Sequence, residues 1–407
     1  MSAPDAEEIR PRTAGVVLVT PDGGLVGSLP AVRVSTPWWP DVEPVVQAIR
    51  DRYGIDIVVL RLLTAELDRP RGGRVTYLAE VCQPVAAEPW DGTLDDHPLR
   101  QTFARPGGPA ADLAWAESVL INNGLRRSGP PVQVRTWNLS SLWRIPLGAE
   151  TAWLKVVPPF FAHEGDVLAR LAGERVPRLL GQHGGRSLLA EVAGDDLYQA
   201  ELPLLLEMVT MLVEIQRSWC TRVEESLALG LPDWRSESLS VGIANALERT
   251  ADELDVDDRA TLTAFVRDLP RRFAEVVACG LEDTLVHGDF HPGNFRGDGS
   301  ALTLLDWGDS GVGHPLLDQA AFLDRIPGDA LQAVRDHWFR LWRTFAPGSD
   351  PAHASALLGP IAAARQALVY QGFLDRIEPT EHAYHRLDPA DWLRRTAALV
   401  RSTPAAV

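Results

Sequence analysis

The sequence predicts an α+β protein in which strand-rich segments come first and helices dominate the second half. Residues 12–82 and 132–192 contain short apolar or alternating runs rich in β-branched residues and bounded by Gly and Pro. From Gly194 to Gly280, and again after Pro315, the pattern is mainly helical. At 407 residues the chain is too long for one ordinary core, so two or three compact units are expected.

Composition limits the class of function. The chain is 45% hydrophobic and 23% charged, as in soluble globular proteins, and no apolar run is long enough for a membrane span. The net charge of -16 argues against a nucleic-acid partner and would suit a cationic substrate, although it equally serves solubility. Three scattered cysteines and an N-terminus without an apolar signal region predict a reducing, cytoplasmic location. Monomer and homodimer stay open.

The first unit is predicted to be a mixed sheet with one helix. A helix is expected over residues 41–52, ended by Gly54, where a left-handed residue suits a helix C-terminus. Residues 83–110 are rich in Pro, Asp, Gly and Ala, and we assign 1–95 to a domain and 96–110 to a linker. The strands expected in this domain are 13–20, 25–28, 55–62 and 74–81.

The next segment is predicted to alternate helix and strand. A helix over 112–123 has apolar residues on one face and is ended by Gly124. A second helix is expected near 163–172. The expected strands are 132–137, 141–145, 151–157, 179–182 and 187–192.

Three polar residues carry the strongest chemical signal. Asp289, on a tight loop after Gly288, is a candidate general base for a substrate hydroxyl. Asn294 follows five positions later, and Asp306 comes directly after the apolar run 302–305. An amide oxygen and a carboxylate are hard ligands that suit Mg²⁺. This pattern predicts phosphoryl transfer, in which a base receives the hydroxyl proton and metal ligands help to neutralise the phosphates.

Two histidines flank the candidate base. His287 precedes Asp289 by two residues, and each of the two histidines has a plain structural interpretation. His291 is near enough to orient the loop or neutralise charge, so we place it with the catalytic group. His287 is assigned to structural support.

Two runs resemble a known family. His-Gly-Asp-Phe-His-Pro-Gly-Asn at 287–294 and Leu-Asp-Trp at 305–307 look like the aminoglycoside phosphotransferase and choline kinase family. The resemblance implies a bilobal, protein-kinase-like fold with a β-rich N-lobe at 111–194 and a helical C-lobe at 195–407. Protein kinases proper are disfavoured because the H-R-D and D-F-G motifs are altered and no A-P-E follows.

The resemblance also implies a nucleotide-binding set upstream. Lys155 is the only lysine of the chain and lies inside an apolar strand, which fits the lysine that pairs nucleotide phosphates. Glu164, at the start of the next helix, is its expected ion-pair partner. Ser140 and Ser141 lie where a phosphate-covering turn belongs, although the glycine-rich pattern of protein kinases is missing.

The remaining implied positions are a hinge and a brace. Residues 189–194 resemble the hinge, where main-chain groups of Glu191 and Ala193 would bind adenine. Asp318 matches an aspartate that braces the catalytic loop in the family. Its neighbour His314 stands where the family often has an acidic residue, so the local bracing is expected to differ.

The unit at 1–95 resembles the Nudix fold in its mixed sheet and its single helix. Fitting the catalytic box of that family to residues 47–55 retains only Asp51 among the acidic positions, and the upstream Glu falls on Trp39. Several carboxylates are needed to bind divalent metal around a pyrophosphate. The resemblance therefore implies a degenerate Nudix-like domain with a structural or recognition role, not a hydrolase.

The combined expectation is an ATP-dependent phosphotransferase with an alcohol group as acceptor. With Mg²⁺, the γ-phosphate of ATP passes to a hydroxyl of an aminoglycoside-like, amino-alcohol or sugar acceptor, and GTP stays open as donor. The alternative is a nucleotide-binding pseudokinase or regulatory protein that uses the Nudix-like domain for recognition. The retained polar set argues against that alternative. The carboxylates considered for binding acceptor ammonium groups are Asp309, Asp324, Glu378 and Glu381.

Overall fold

The computed structural model describes residues 11–298 and 301–402. They form two compact units. The first unit comprises the described residues up to 165 together with 179–191 and 372–387, and the second comprises 166–178, 192–371 and the described residues from 388. No helix within the described ranges is long and apolar enough to cross a membrane.

The first unit begins with a four-stranded mixed sheet and one helix, as the sequence pattern predicts. The strand order is β2-β1-β4-β3, with β1 parallel to β4 and the other pairs antiparallel. Gly54 ends the helix with φ 68°, the left-handed conformation that glycine adopts easily. The elements are β1 (Arg12–Val19), β2 (Leu25–Val34), α1 (Glu43–Tyr53), β3 (Ile57–Ala65) and β4 (Gly73–Val81).

Strand β2 is longer than predicted, and the reason is its place in the sheet. The predicted strand covers residues 25–28, whereas the observed strand also contains Pro30, which has no backbone N–H donor. Since β2 is an edge strand with β1 as its only neighbour, a proline is tolerated there. The strand therefore continues to Val34.

The first unit also contains a five-stranded sheet. Its order is β5-β6-β7-β9-β8, all antiparallel, so β7 is the central strand. Helix α2 begins at Gly108, four residues before the predicted start, with proline in its first turn where a missing N–H costs nothing. The elements are α2 (Gly108–Asn122), β5 (Val132–Trp137), β6 (Ser140–Pro146), β7 (Thr151–Val156), β8 (Leu179–His183) and β9 (Arg186–Ala190).

Hydrogen bonds join the two sheets within this unit. The Gln133 side-chain amide accepts from the Val59 N–H at 2.9 Å and donates to the Val59 carbonyl at 2.7 Å, so it continues the hydrogen bonding of β3 toward β5. The segment before α2 is also packed, because Phe103 lies in the core of the five-stranded sheet at 1% exposure. The boundaries 1–95, 96–110, 111–194 and 195–407 stay predictions.

The second unit is mainly helical and holds two small antiparallel sheets, one of two strands and one of three. Strand β11 pairs with β14, and β12 pairs with both β10 and β13. The strands are β10 (Asp195–Asp196), β11 (Thr284–Val286), β12 (Phe295–Gly297), β13 (Leu302–Leu304) and β14 (Gly311–Gly313). Helix α3 (His163–Arg170) starts in the first unit, and the helices that follow are α4 (Leu202–Trp219), α5 (Val223–Ala228), α6 (Ser236–Thr250), α7 (Val256–Ala278), α8 (Gln319–Leu323), α9 (Leu331–Phe345), α10 (Pro351–Leu374) and α11 (Asp388–Ser402).

Candidate active site

In the first unit, Lys155 and Glu164 form a close ion pair. Lys155 lies on the central strand β7, between Leu142 of β6 and Ser187 of β9. Its Nζ is 2.7 Å from Oε1 of Glu164, and the two side chains are 16% and 3% exposed. The low exposure of both side chains strengthens the attraction and fixes the ammonium group in one orientation.

The turn expected to cover phosphate connects β5 to β6, and its polar side chains have partners. Trp137 donates from Nε1 to the Ser140 hydroxyl at 3.0 Å, and Trp143 donates to the Ser141 hydroxyl at 3.1 Å. Ser141 is 1% exposed. Both serine hydroxyls therefore accept hydrogen bonds from tryptophan indole N–H groups. The groups of this turn best placed to bind phosphate are then its backbone N–H groups.

The predicted hinge residues lie on the segment where the chain leaves the first unit. Glu191 follows β9, its N–H donates to the Thr151 carbonyl at 3.1 Å, and its Oε2 accepts from Trp153 at 2.7 Å. Ala193 is exposed two residues later, at the start of the second unit. Glu191 is therefore oriented by β7, the strand that carries Lys155.

In the second unit, two strand pairs position the polar residues of the motif. Strand β11 delivers His287 and Asp289 to the loop that follows it. Phe295 pairs with Leu304 across β12 and β13, and the Leu305 N–H donates to the Asn294 carbonyl at 2.8 Å. Asn294 and Asp306 therefore lie at the same end of one hairpin, as their placement around apolar strands requires.

Asp289 is surrounded by donors and cations. The Asn294 amide donates to its backbone carbonyl at 2.8 Å and to Oδ2 at 3.2 Å. His291 Nε2 is 3.4 Å from Oδ2, and Arg325 Nη2 is 3.8 Å from Oδ1. Burial alone would raise the pKa of Asp289, but the hydrogen bond from His291 and the nearby guanidinium group of Arg325 hold that pKa well below its usual value. The carboxylate is therefore ionised at neutral pH.

Gly288 allows a close backbone crossing that no other residue permits. Its φ is 89°, and a Cβ at this position would lie 1.8 Å from the Asp309 carbonyl oxygen. The loop bearing Asp289 thus passes directly against the turn after Asp306. Both the positive φ and the contact require glycine where protein kinases have arginine.

His287 is buried and holds the loop in its neutral form. Its Nε2 donates to the Leu305 carbonyl at 2.9 Å, and its Nδ1 accepts the Asp289 N–H at 3.4 Å. Its ring also packs on Trp307, with centroids 4.7 Å apart. Burial lowers the pKa of His287, which agrees with a neutral ring that donates through one nitrogen and accepts through the other.

Asp306 has an unusual backbone conformation. Its φ of 62° and ψ of 64° place it in the left-handed region, and it is the one non-glycine residue with positive φ among the described residues. Such a conformation costs about 1–3 kcal/mol and clusters at functional sites. The surrounding turn therefore aims this carboxylate in a direction that an ordinary strand end does not offer.

Asp318 accepts hydrogen bonds from the loop backbone. Its carboxylate receives the His287 N–H at 2.9 Å and the Gly288 N–H at 2.7 Å, and Gln216 donates to it at 3.0 Å. At 1% exposure it is fully buried. These three bonds fix the start of the loop directly before Asp289.

Sequence reasoning missed Arg365, which contacts the same loop. Its Nη2 donates to the Gly288 carbonyl at 2.7 Å, and its guanidinium lies 4.0 Å from the Trp234 ring centroid. The side chain is 2% exposed, and Nε and Nη1 have no hydrogen-bond partner. An arginine inside the apolar run 361–369 of a helix was the available signal.

Two of the four carboxylates considered for acceptor binding lie elsewhere. Glu378 belongs to the first unit, where it pairs with Arg100 at 2.8 Å and with Arg61 at 3.4 Å. Glu378 and Glu381 are each 3% exposed, too buried to meet a ligand. The sequence predicted that both belong to the helical half of the chain. Residues 372–387 instead return to the first unit through long-range packing, which a local pattern does not show.

The donor set at the hairpin end suits Mg²⁺. No group of three or more His, Cys, Asp and Glu side chains within residues 11–298 and 301–402 is arranged to hold a metal ion. Magnesium bound with a nucleotide usually takes only one or two carboxylates and completes its shell with phosphates and water. Asn294 turns its amide nitrogen toward Asp289, which leaves its oxygen as the ligand atom, and Asp306 supplies a carboxylate.

Comparison with known families identifies the class of protein. The model of the phosphotransferase enzyme family called APH matches residues 134–356, more than half of the chain. The chain belongs to this family and is a phosphotransferase of the aminoglycoside phosphotransferase and choline kinase type. The sequence-based prediction of an enzyme of this kind is confirmed. No protein in the curated comparison matches the chain.

Solved structures resemble the chain at low sequence identity. A choline/ethanolamine kinase family protein from Mesorhizobium loti covers 72% of this chain and 95% of its own, with 16% identity and a TM-score of 0.50. Macrolide 2'-phosphotransferase MphH from Brachybacterium faecium covers 67% and 97%, with 16% identity and a TM-score of 0.47. With the family match, the first of these confirms the protein-kinase-like fold, while the Nudix resemblance stays a prediction.

Proposed function

We propose that this protein transfers the γ-phosphoryl group of ATP to a hydroxyl of a small-molecule acceptor. The bond between the γ-phosphorus and the bridging oxygen breaks, the acceptor oxygen bonds to phosphorus, and ADP leaves. The hydroxyl proton passes to the Asp289 carboxylate. Family membership supports the reaction class, and the observation that carries the assignment is the ionised Asp289 held by Asn294, with Asp306 at the same hairpin end.

Each residue has a separate task in this proposal. Asp289 orients the hydroxyl and accepts its proton, and His291 and Arg325 keep it ionised. Lys155, fixed by Glu164, pairs the nucleotide phosphates. Asn294 and Asp306 would hold Mg²⁺, which neutralises phosphate charge when bound. Main-chain groups of Glu191 and Ala193 are proposed to bind adenine, with GTP as the alternative donor.

We propose a structural role for the four-stranded sheet. Trp39, where the Nudix box would need an acidic residue, is fully buried and donates to the Gly72 carbonyl at 2.8 Å. Asp51 accepts from Gln47 at 2.6 Å on the exposed face of α1. Gln133 joins this sheet to the five-stranded sheet that carries Lys155, which supports a bracing function.

The solitary lysine permits a direct test of nucleotide binding. An amine-reactive reagent can modify only Lys155 and the N-terminal amine, and peptide mass spectrometry separates the two. ATP with Mg²⁺ is expected to slow Lys155 modification while leaving the N-terminal amine unaffected. A Glu164→Gln variant should react faster at Lys155, because the stabilising carboxylate is lost. Equal rates with and without nucleotide would contradict the assignment of Lys155.

The acceptor reaction needs a second test. The purified protein, incubated with ATP, Mg²⁺ and a panel of hydroxyl compounds, is expected to yield a product heavier by one phosphate group in mass spectrometry. Nucleotide protection of Lys155 without any transfer would instead favour a nucleotide-binding pseudokinase. Pyrophosphate cleavage that survives loss of Asp289 would indicate a Nudix-type hydrolase.

A further inference from the structure

The second unit contains a cavity that includes the candidate base in its wall. Its volume is about 240 Å³, and Asp289 lines it together with residues of α8, α10 and α11. All of these residues belong to the second unit. An acceptor hydroxyl must reach Asp289 to be phosphorylated in the proposed reaction. The residues that line this cavity therefore indicate which acceptors it can bind.

Small residues at helical spacing create the space. Gly359 lies three and four positions before Ala362 and Ala363 of α10, so these small residues share one face. A Cβ built on Gly359 meets no atom within 4 Å, so this face is open at that point. Trp392 and Arg395 form the corresponding face of α11.

The cavity lining contains two carboxylates and two guanidinium groups, so its charges balance. Arg325 Nη2 is 3.8 Å from Asp289 Oδ1, and Arg395 Nη2 is paired with Asp324 Oδ2. Each carboxylate of the lining thus has a guanidinium beside it, although the whole chain has a net charge of -16. An ammonium group entering this cavity would meet an arginine at both carboxylates, and like charges at such distances repel.

The other polar groups suit hydroxyls. Gln366 offers an amide that both donates and accepts, and the Asp324–Arg395 pair presents an acceptor next to a donor. Burial, and then the carboxylates around it, raise the pKa of Tyr370, so its hydroxyl keeps its proton. The Trp392 ring adds an apolar face, with Arg395 Cζ 5.0 Å from its centroid. Vicinal hydroxyls on an apolar ring match this combination of donors, acceptors and aromatic surface.

We propose that this cavity binds the phosphate acceptor and that the acceptor is a compact, uncharged polyol of monosaccharide size. The inference rests on the proposed function and narrows it. The volume lies below the range of about 300–1,000 Å³ that drug-sized ligands occupy, which disfavours a multi-ring acceptor. The balanced charge disfavours the polycationic acceptor that the net charge of the chain suggested.

The first test compares classes of acceptor. The protein is given ATP, Mg²⁺ and three groups of compounds: neutral monosaccharides and sugar alcohols, amino alcohols, and polycationic aminoglycosides. Phosphate transfer is expected to be most efficient, by kcat/KM, with a neutral sugar or polyol. Higher kcat/KM with a cationic compound, or no transfer to any neutral one, overturns the inference. Transfer to a cationic compound leaves the proposed phosphotransferase function intact.

The second test fills the cavity. Ala321 of α8 is half-buried and lines it, so Ala321→Leu is expected to raise the acceptor KM by about tenfold or more, since hydrophobic pockets discriminate at this level per added group. The KM for ATP should stay within about twofold. Ala333→Leu is the matched control, because Ala333 is a half-buried helical alanine of α9 outside the cavity.

A polar variant separates binding from general damage. Arg395→Gln is expected to raise the acceptor KM with little change in Lys155 protection by ATP, because Arg395 lies in the acceptor cavity. An unchanged acceptor KM in both Ala321→Leu and Arg395→Gln would place the acceptor elsewhere and overturn the inference. If ATP does not slow the modification of Lys155 in the unmodified protein, the proposed function itself is refuted.

Discussion

At the residue scale, Asp289 combines an ionised carboxylate with a fixed direction. Asn294 donates to its backbone carbonyl and to its carboxylate, His291 Nε2 lies 3.4 Å from Oδ2, and Arg325 supplies positive charge nearby. In the proposed reaction a base with such a low pKa is weak, so Asp289 would mainly orient the attacking hydroxyl and receive its proton as the new P–O bond forms. The hydrogen bonds that fix this direction matter as much as the charge.

We predict that Asp289→Asn lowers kcat by a factor of about 10²–10⁴, the range for losing a general base. The amide keeps the shape of the side chain but cannot accept the proton. Steady-state kinetics with any accepted substrate measures this, and Lys155 protection by ATP should be unchanged. Asp336→Asn, at a carboxylate that accepts from Gln332 on the surface of α9, is the control. A kcat within a few fold of the unmodified protein would remove Asp289 from the mechanism.

Arg365→Met is predicted to lower kcat by up to about 100-fold with a smaller change in KM. The reason is that Arg365 holds the Gly288 carbonyl, and small misplacements of a catalytic group have effects of this size. Arg365→Lys should recover part of the loss, since an ammonium group can donate to the same carbonyl. If both variants lose activity only in proportion to their lowered melting temperature, Arg365 is structural and does not position the loop.

Three of the site residues that the sequence suggested share local spacing. Asp289, Asn294 and Asp306 stand out because their intervals fit loops next to short strands. Arg365 and Gln216 lie far along the chain from the loop they support, 77 and 102 positions from Gly288 and Asp318. No local pattern links them, so only the folded chain shows that they contact the site.

At the element scale, most strands and helices were predicted within a few residues. The periodicity of apolar residues reflects one buried face, and glycines such as Gly54 mark the ends. The two largest boundary differences fall at prolines. Strand β2 continues through Pro30 at the edge of its sheet, and helix α2 includes Pro109 in its first turn. Whether proline is tolerated depends on the position of the element in the fold.

We predict that Gln133→Met lowers the free energy of unfolding by about 2–4 kcal/mol. The Val59 N–H and carbonyl are both buried, and each unsatisfied group costs about 1–3 kcal/mol. Chemical denaturation followed by circular dichroism measures the change. Gln332→Met, on the exposed face of α9, is the control and should change stability little. An unchanged unfolding midpoint for Gln133→Met would show that this amide does not join the two sheets.

At the whole-molecule scale, segments distant in sequence meet in one buried charged cluster of the first unit. Arg100 reaches across 278 positions to Glu378, which also pairs with Arg61. Glu381 lies close to this cluster, with Oε1 lacking a hydrogen-bond partner. Burial, and then the negative charge of Glu378, raise the pKa of Glu381 to about 8.

This shift predicts how stability depends on pH. The unfolded chain releases the Glu381 proton near pH 4.5, whereas the folded chain keeps it until about pH 8. Between these values the folded state binds the extra proton, so stability falls as pH rises, by up to about 1.4 kcal/mol per pH unit. Glu381→Gln should therefore raise the melting temperature at pH 8 and change it little at pH 4.

Glu378→Gln is the control for this experiment, because its expected effect on the melting temperature is opposite in sign. Its carboxylate pairs with the guanidinium groups of Arg61 and Arg100, which are 3% and 10% exposed, so its loss removes a negative charge from beside both. The melting temperature is expected to fall at both pH values. A Glu381→Gln variant with the same melting temperature as the unmodified protein at pH 8 would show that Glu381 is not held protonated in the fold.

The sequence by itself predicted the class of reaction, phosphoryl transfer, because two aspartates and an asparagine at fixed intervals between short strands depend only on local chain geometry. It also determined the type of most elements. The tertiary structure decided which residues support the base, the balanced charge of the cavity beside it, and the return of residues 372–387 to the first unit. These features arise from contacts between residues far apart in the chain, which spacing and periodicity do not encode.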